Sequence, residues 1–344
     1  MIDKLFVLLN DITDSDVGDI VENIGIEDNK AYRTKPEKCP SCFKKSMAAI
    51  EVLGAFDKSL LWQCLKCGDR FLRLSRTKTV KLLEDKGVIK RVIVTPDKHA
   101  PIHDIAAINV VKKAIEIVKP DAYIDLGDLG EWASVSHWQW KRKKMPPLEY
   151  IIPRIDKDVI GVNALLDSID ESLDKVNCTE KYLCGGNHDE WCNMFVDQHP
   201  YLPQYKFENA VNLKERGYDY YPADLEPKKW LKIGKLHYYH GHHKSGMHHA
   251  KAHLALGANI MYGHHHGLQQ ASVTHIDGPK SAWSLGCLKD MSPEKNRWLG
   301  GKAINWAHAF AVVDYFRGGL FTVHIVQIIN GKTSLWGELI DGNK

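Results

Sequence analysis

Three short apolar runs, each closed by a polar turn, constrain this chain more than anything else in it. Val92-Ile93-Val94 leads to Asp97-Lys98-His99, and Ala122 to Ile124 leads to Asp125-Leu126-Gly127-Asp128. Lys181-Tyr182-Leu183-Cys184 leads to Gly185-Gly186-Asn187-His188-Asp189-Glu190, where a helix can start at Asp189. Between the first two runs, Asp104 can cap a helix with apolar Ile105, Ile108, Ile115 and Val118, and Pro120 stops it. Residues 155–175 read as a second helix. Strand–helix–strand repeats of this length predict right-handed crossovers and a parallel sheet. In such sheets sites form at the carboxyl ends of strands, and Asp97, His99, Asp128 and Asn187 all fall there.

Further on, residues 229–240 read as a hairpin that ends at His240-Gly241-His242-His243. A helix carrying His248, His249 and His253 is expected to run to Gly257. Ile260-Met261-Tyr262 is a strand closed by Gly263-His264-His265-His266-Gly267. Residues 268–336 read as antiparallel strands with turns at Asp277-Gly278, Arg317-Gly318-Gly319 and Asn330-Gly331. The ten histidines within residues 237–266 are too many for core packing and more than one metal needs. By position, Asp97, His99, Asp128 and His266 would serve one ion, and Asn187, His240 and His264 a second, with Asp128 shared. Mixed oxygen and nitrogen donors favour Mn²⁺, Fe or Zn²⁺ over Mg²⁺ or Ca²⁺.

The ordered blocks Asp97-x-His99, Gly127-Asp128, Gly186-Asn187-His188-Asp189, His240-Gly241 and Gly263-His264-x-His266 resemble those of the calcineurin-like metallophosphoesterase family. The resemblance covers roughly residues 90–325 and is close to the phage and prophage members related to the DNA repair exonuclease branch. It implies an α/β fold, a four-layer αββα sandwich with a dimetal site at strand ends, and phosphoester hydrolysis. By the same resemblance, Asp97, His99, Asp128, Asn187, His240, His264 and His266 are ligands. His188 is not a ligand. It would protonate the leaving oxygen, steered by Asp189. Where many members carry Gly-Asp-x-x-Asp, this chain has Glu131. His265 is expected to point away from its neighbours, and His242, His243, His248 and His249 either contact substrate phosphate or pack.

The first ninety or so residues differ in kind. Residues 1–29 hold one Lys against eight Asp or Glu and suggest two short helices. Residues 30–90 reverse the balance, with fifteen Lys or Arg against six acidic residues. Two Cys-x-x-Cys pairs, Cys39/Cys42 and Cys64/Cys67, flank the strand-like runs Met47 to Leu53 and Leu60 to Gln63. Four thiolates on such knuckles predict one closed, structural Zn²⁺ in a zinc ribbon. Residues 77–90 read as a helix and linker into a domain at 91–344.

Net charge is only +3, so the local basic excess says more about partners than the total does. Together with Trp138, Trp140 and the Lys141-Arg142-Lys143-Lys144 run, it favours nucleic acid as substrate, DNA before RNA, with Trp138, Lys143 and Lys144 as contacts. The alternatives are a phosphomonoesterase or small-nucleotide phosphodiesterase whose ribbon docks a protein partner, and a metal-bearing scaffold without turnover. The early apolar run Leu5 to Leu9 is too short for a signal peptide or membrane helix. No membrane partner is therefore expected, and the reducing cytoplasm of a bacterial or phage-infected cell is the default, with the four unpatterned cysteines, Cys178, Cys184, Cys192 and Cys287, expected in or near the core.

Overall fold

The computed structural model describes residues 88–141, 143–242, 247–276, 278–302 and 304–344, and before them 38, 45, 47–49, 61–66, 70–73 and 79–82. The chain divides into two compact units, Met1–Ile89 with Tyr315–Leu320, and Lys90–Asp314 with Phe321–Lys344.

In the first unit, β1 (Met47–Ala49), β2 (Leu61–Cys64), β3 (Arg70–Arg73) and β4 (Thr79–Leu82) form an antiparallel sheet in that order. β1 and β2 fall in the two runs expected between the cysteine pairs, with Met47 opposite Cys64. The helix expected over 77–90 is corrected. Thr79 and Val80 are β-branched, and Thr79–Leu82 pairs in full with Arg70–Arg73, so an available sheet edge outweighs a weak helical pattern. Cys64 is buried, whereas Cys39, Cys42 and Cys67 lie outside the described residues, as does His243.

The second unit is built on two sheets. The first runs β15-β14-β5-β6-β7-β8, with β5 (Lys90–Thr95), β6 (Ala122–Asp125), β7 (Glu180–Cys184), β8 (Tyr218–Tyr221), β14 (His308–Tyr315) and β15 (Phe321–Ile328). β5 to β8 are mutually parallel. The second runs β12-β13-β11-β10-β9, with β9 (Leu231–Ile233), β10 (Leu236–Tyr238), β11 (Asn259–Tyr262), β12 (Leu268–His275) and β13 (Gly278–Leu285). In it β10, β11 and β13 are parallel, flanked by antiparallel β9 and β12. A final hairpin, β16 (Lys332–Leu335) and β17 (Glu338–Asp341), forms a separate two-stranded sheet whose Leu335 and Ile340 are buried in the large core.

Alternation along the strands sorts the layers. Ile93, Tyr123 and Leu183 face helices α1 (Ile105–Val118) and α2 (Leu148–Lys175) in one large core. The opposite-facing Val92, Val94, Ala122 and Ile124 are also fully buried. In the second sheet, Ile260, Tyr262 and Ala282 pack with Leu254 of helix α4 (His249–Leu254), while Leu236, Tyr238 and Met261 are buried on the other face. Each sheet therefore hides both faces, one under helices and one toward the other sheet. This is the four-layer αββα sandwich expected from the sequence. Helix α1 starts as predicted, with Asp104 accepting from the Ala107 amide at 2.7 Å. Helix α2 begins at Leu148, seven residues before the expected start. Helix α3 (Asn187–Gln198) opens the third polar turn.

Candidate functional site

Five parallel strands end at one place. β5 delivers Asp97 and His99, β6 delivers Asp128, and β7 delivers Asn187 at the first turn of α3. From the other sheet, β10 delivers His240 and β11 delivers His264 and His266. The turns that follow are tight. His99, Asp128, His264 and His266 all have left-handed φ, at 52°, 47°, 64° and 58°. Each such non-glycine residue costs roughly 1–3 kcal/mol, and such strain clusters at functional sites. Two glycines make the crowding possible. A Cβ on Gly186 would collide with the Asp128 carboxylate, and one on Gly263 with that of Asp97.

Three groups of side chains have potential ligand atoms within 4.8 Å of one another: Asp97, His99 and His266; Asp128, His240 and His264, beside Asn187; and His99, Glu131 and His188. In the first, His266 Nε2 lies 3.2 Å from Asp97 Oδ2 and 3.0 Å from His99 Nε2. In the second, Asn187 Oδ1 lies 2.7 Å from His264 Nδ1 and 3.1 Å from His240 Nε2. Asp128 Oδ2 faces both, 3.3 Å from His240 Nε2 and 3.7 Å from His99 Nε2. The back of each donor is fixed. His240 Nδ1 donates to the Leu126 carbonyl at 2.9 Å, and Asp97 accepts from the His264 amide at 2.9 Å. The His188 amide donates to Asp128 Oδ1 at 2.8 Å.

The electrostatics ask for cations. Burial holds His99 down at about 4 and His264 at about 3, so both rings are neutral and keep a lone pair to offer. Burial works against a charged ring at His240 too, yet the carboxylates of Asp128 and Asp97 outweigh it and push it up to about 10. Burial would raise Asp97, but His240 and His266 hold it at about 2. Buried carboxylates, an amide oxygen and imidazoles in two groups around a shared carboxylate fit a pair of divalent ions.

A layer behind these donors was only partly visible in the sequence. Glu131 Oε2 lies 2.8 Å from His99 Nδ1 and 2.8 Å from the buried Lys289 ammonium. Burial favours the neutral acid there, but the contact with His99 and the charge of Lys289 hold Glu131 at about 2. The Glu131 carbonyl accepts from His188 Nδ1 at 2.9 Å, which turns His188 Nε2 toward Asp128 at 4.0 Å. Below the site, Lys98 Nζ pairs with Asp125 Oδ2 at 2.6 Å, both fully buried.

The expected role of Asp189 is corrected. Its carboxylate accepts from the amides of Leu129, Gly130 and Gly186 and from Trp132 Nε1, at 3.0–3.3 Å, and is fully buried. Those four donors clamp the 129–132 loop to the start of α3 and use up its oxygens, and the Glu131 carbonyl takes the place assigned to Asp189 beside His188.

A cavity of about 720 Å³ opens over the two groups. His188, Asn187, His264 and His266 line it, and Trp138 stands at its wall. Lys143 lines a neighbouring groove of about 240 Å³, and Lys144 is exposed and lines neither. His242 is also outside the cavity, exposed and 5.3 Å from the Tyr239 ring. His249 is buried, its Nδ1 2.6 Å from the Tyr262 hydroxyl and its ring stacked on His265, so it serves packing. Trp191, Trp298, Trp306 and Lys289 line the cavity too, and no motif marked them.

Among the described residues no helix is long and apolar enough to cross a membrane. No family model matches the chain. It is 24% identical over 267 residues to the Gene 54 protein of Mycobacterium phage L5, across 73% of this chain and 98% of that protein. Among solved structures it is similar to a Vps29 variant from Entamoeba histolytica, at 15% identity over 73% of this chain and 98% of that one, with a TM-score of 0.39. It is also similar to a dimetal phosphatase from Danio rerio, at 10% identity over 69% of this chain and 99% of that one, with a TM-score of 0.34.

Proposed function

We propose that this chain is a metal-dependent phosphoesterase of the calcineurin-like kind, cutting phosphodiester bonds in nucleic acid, DNA before RNA. The observation that carries the reading is Asp128 Oδ2, which faces His240 of one donor group and His99 of the other. One position would be held by Asp97, His99, His266 and Asp128, the other by Asn187, His240, His264 and Asp128. Two divalent ions there, Mn²⁺ foremost with Fe or Zn²⁺ as substitutes, would supply Lewis-acid activation of the phosphoryl oxygen and of the attacking water.

The chain's own groups do the rest. Glu131 fixes the His99 ring through its carboxylate and the His188 ring through its carbonyl, so one residue sets two side chains. His188 Nδ1–H is committed to that carbonyl, and in its doubly protonated form the ring also carries an Nε2–H at the cavity, whose proton would pass to the ester oxygen as its bond to phosphorus breaks and leave the neutral imidazole. The basic excess of residues 30–90 and the Trp138 to Lys144 loop support a polyanionic substrate. In the N-terminal unit, Cys39, Cys42, Cys64 and Cys67 would hold a structural Zn²⁺. The phage relative supports a setting in the cytoplasm of an infected bacterial cell.

The test compares bis(p-nitrophenyl) phosphate, p-nitrophenyl phosphate and labelled oligonucleotides with Mn²⁺ present. Cleavage of the diester and the oligonucleotides, weakening as salt rises, is expected. Turnover of the monoester alone, without salt dependence, would replace the nuclease reading with a phosphatase.

A further inference from the structure

The cavity has a polar floor and aromatic walls. On one side Trp191 lies against His188, ring centroids 4.0 Å apart, and Trp138 stands at the same wall. On the other side Trp306 lies 4.5 Å from the His266 ring, and Trp298 lies 6.1 Å beyond Trp306. The inner pair has work in packing the site. The outer pair does not, since Trp138 is 66% exposed and Trp298 is 70% exposed. Two large indoles left mostly in water at the rim of one polar floor present apolar surface that the fold leaves largely uncovered.

The surroundings say what sort of flat partner they fit. The Lys141 ammonium sits 4.6 Å from the centre of the Trp138 ring. The neighbouring groove shares Ser136 and Trp191 with the cavity and carries His137, Lys141 and Lys143. A path that alternates aromatic faces with cations, passing over a phosphate-sized polar floor, matches a chain of bases joined by phosphates. It does not match a duplex, because paired bases are stacked on one another and have no free face to lay on an indole.

We infer that the site takes single-stranded nucleic acid, with one unpaired base stacked on Trp138 on the His188 side of the scissile phosphate and another on Trp298 on the His266 side. The backbone leaves along Lys141 and Lys143. This inference rests on the phosphoesterase reading for the identity of the scissile group, and on the indoles for strandedness.

Binding tests it independently of turnover. The probe is a fluorescein-labelled, phosphorothioate-linked oligothymidylate of twelve residues, followed by anisotropy, with a blunt duplex of the same length beside it. Base–aromatic stacking is lost on alanine substitution at about 5- to 150-fold in affinity per base. Trp138→Ala and Trp298→Ala should each weaken the single strand by at least about 5-fold, Trp138→Phe and Trp298→Phe should recover most of it, and the duplex should bind more weakly to every protein. The phenylalanine variants and thermal melting separate stacking from misfolding. Equal binding of duplex and single strand, or alanine variants within twofold of the parent, would overturn the inference. Failure of any divalent ion to support diester hydrolysis, with these binding differences intact, would instead sink the phosphoesterase reading.

Discussion

Replacing Lys98 with Met isolates a charge that the fold has sealed under the site. Lys98 Nζ lies 2.6 Å from Asp125 Oδ2, 3.0 Å from Thr95 Oγ1 and 3.3 Å from the Pro96 carbonyl. Lys98→Met leaves Asp125 fully buried, with the Gly127 amide at 3.1 Å as its remaining donor. Removing one partner of a buried pair costs about 3–5 kcal/mol, because the other charge is stranded rather than because the pair was strong. The pH dependence follows. Burial already outweighs Lys98 and leaves the Asp125 carboxyl above its ordinary value. Without the ammonium it rises further. A raised carboxyl penalises the fold above its folded-state value, and the penalty disappears below the unfolded-state value near 4. Calorimetric melting of Lys98→Met should therefore show a drop of roughly 6–10 °C at pH 8 that shrinks steadily toward pH 4. Asp125→Asn in the same background should restore most of the loss. A penalty under about 1 kcal/mol, or one that ignores pH, would refute the stranded-charge argument.

Two further outcomes follow from the neighbours of His188. His188→Ala should keep both ions and lower kcat by about 10²–10⁴ on an oligonucleotide, and by much less on a p-nitrophenyl diester whose leaving oxygen needs no proton, as single-turnover rates on the two esters would show. Asp189→Asn should behave as a structural lesion: one carboxylate oxygen becomes an amide NH2, so two of the four donors lose their acceptor and face another donor, and the melting temperature should fall while any surviving activity keeps the parent's leaving-group dependence.

The sequence announced the parts of the site that a strand end can announce. Asp97, His99, Asp128, Asn187, His240, His264 and His266 sit beside short apolar runs and glycine turns, and that local signature survives without knowledge of the fold. Asp189 misled because it adjoins His188 in sequence, yet successive residues in the first turn of a helix point apart, and its oxygens go to the 129–132 loop instead. Lys289 reaches Glu131 across 158 residues, and no periodic pattern records such a pairing. Trp298 and Trp306 lie in the irregular stretch between β13 and β14, where neither a period of two nor one of 3.6 exists to read. Thr79–Leu82 failed for a different reason, since four residues carry too little pattern to tell a short strand from a helical turn.

The most direct measurement counts ions at the two donor groups. The protein is equilibrated with Mn²⁺, freed of excess by dialysis and analysed for metal, with bis(p-nitrophenyl) phosphate hydrolysis followed on the same samples. The account predicts two Mn²⁺ per chain beyond any zinc held by the N-terminal cysteines, hydrolysis that rises with their occupancy, and loss of both in Asp128→Ala. Retention of two ions and full hydrolysis in Asp128→Ala, or turnover that persists after chelation, would contradict it.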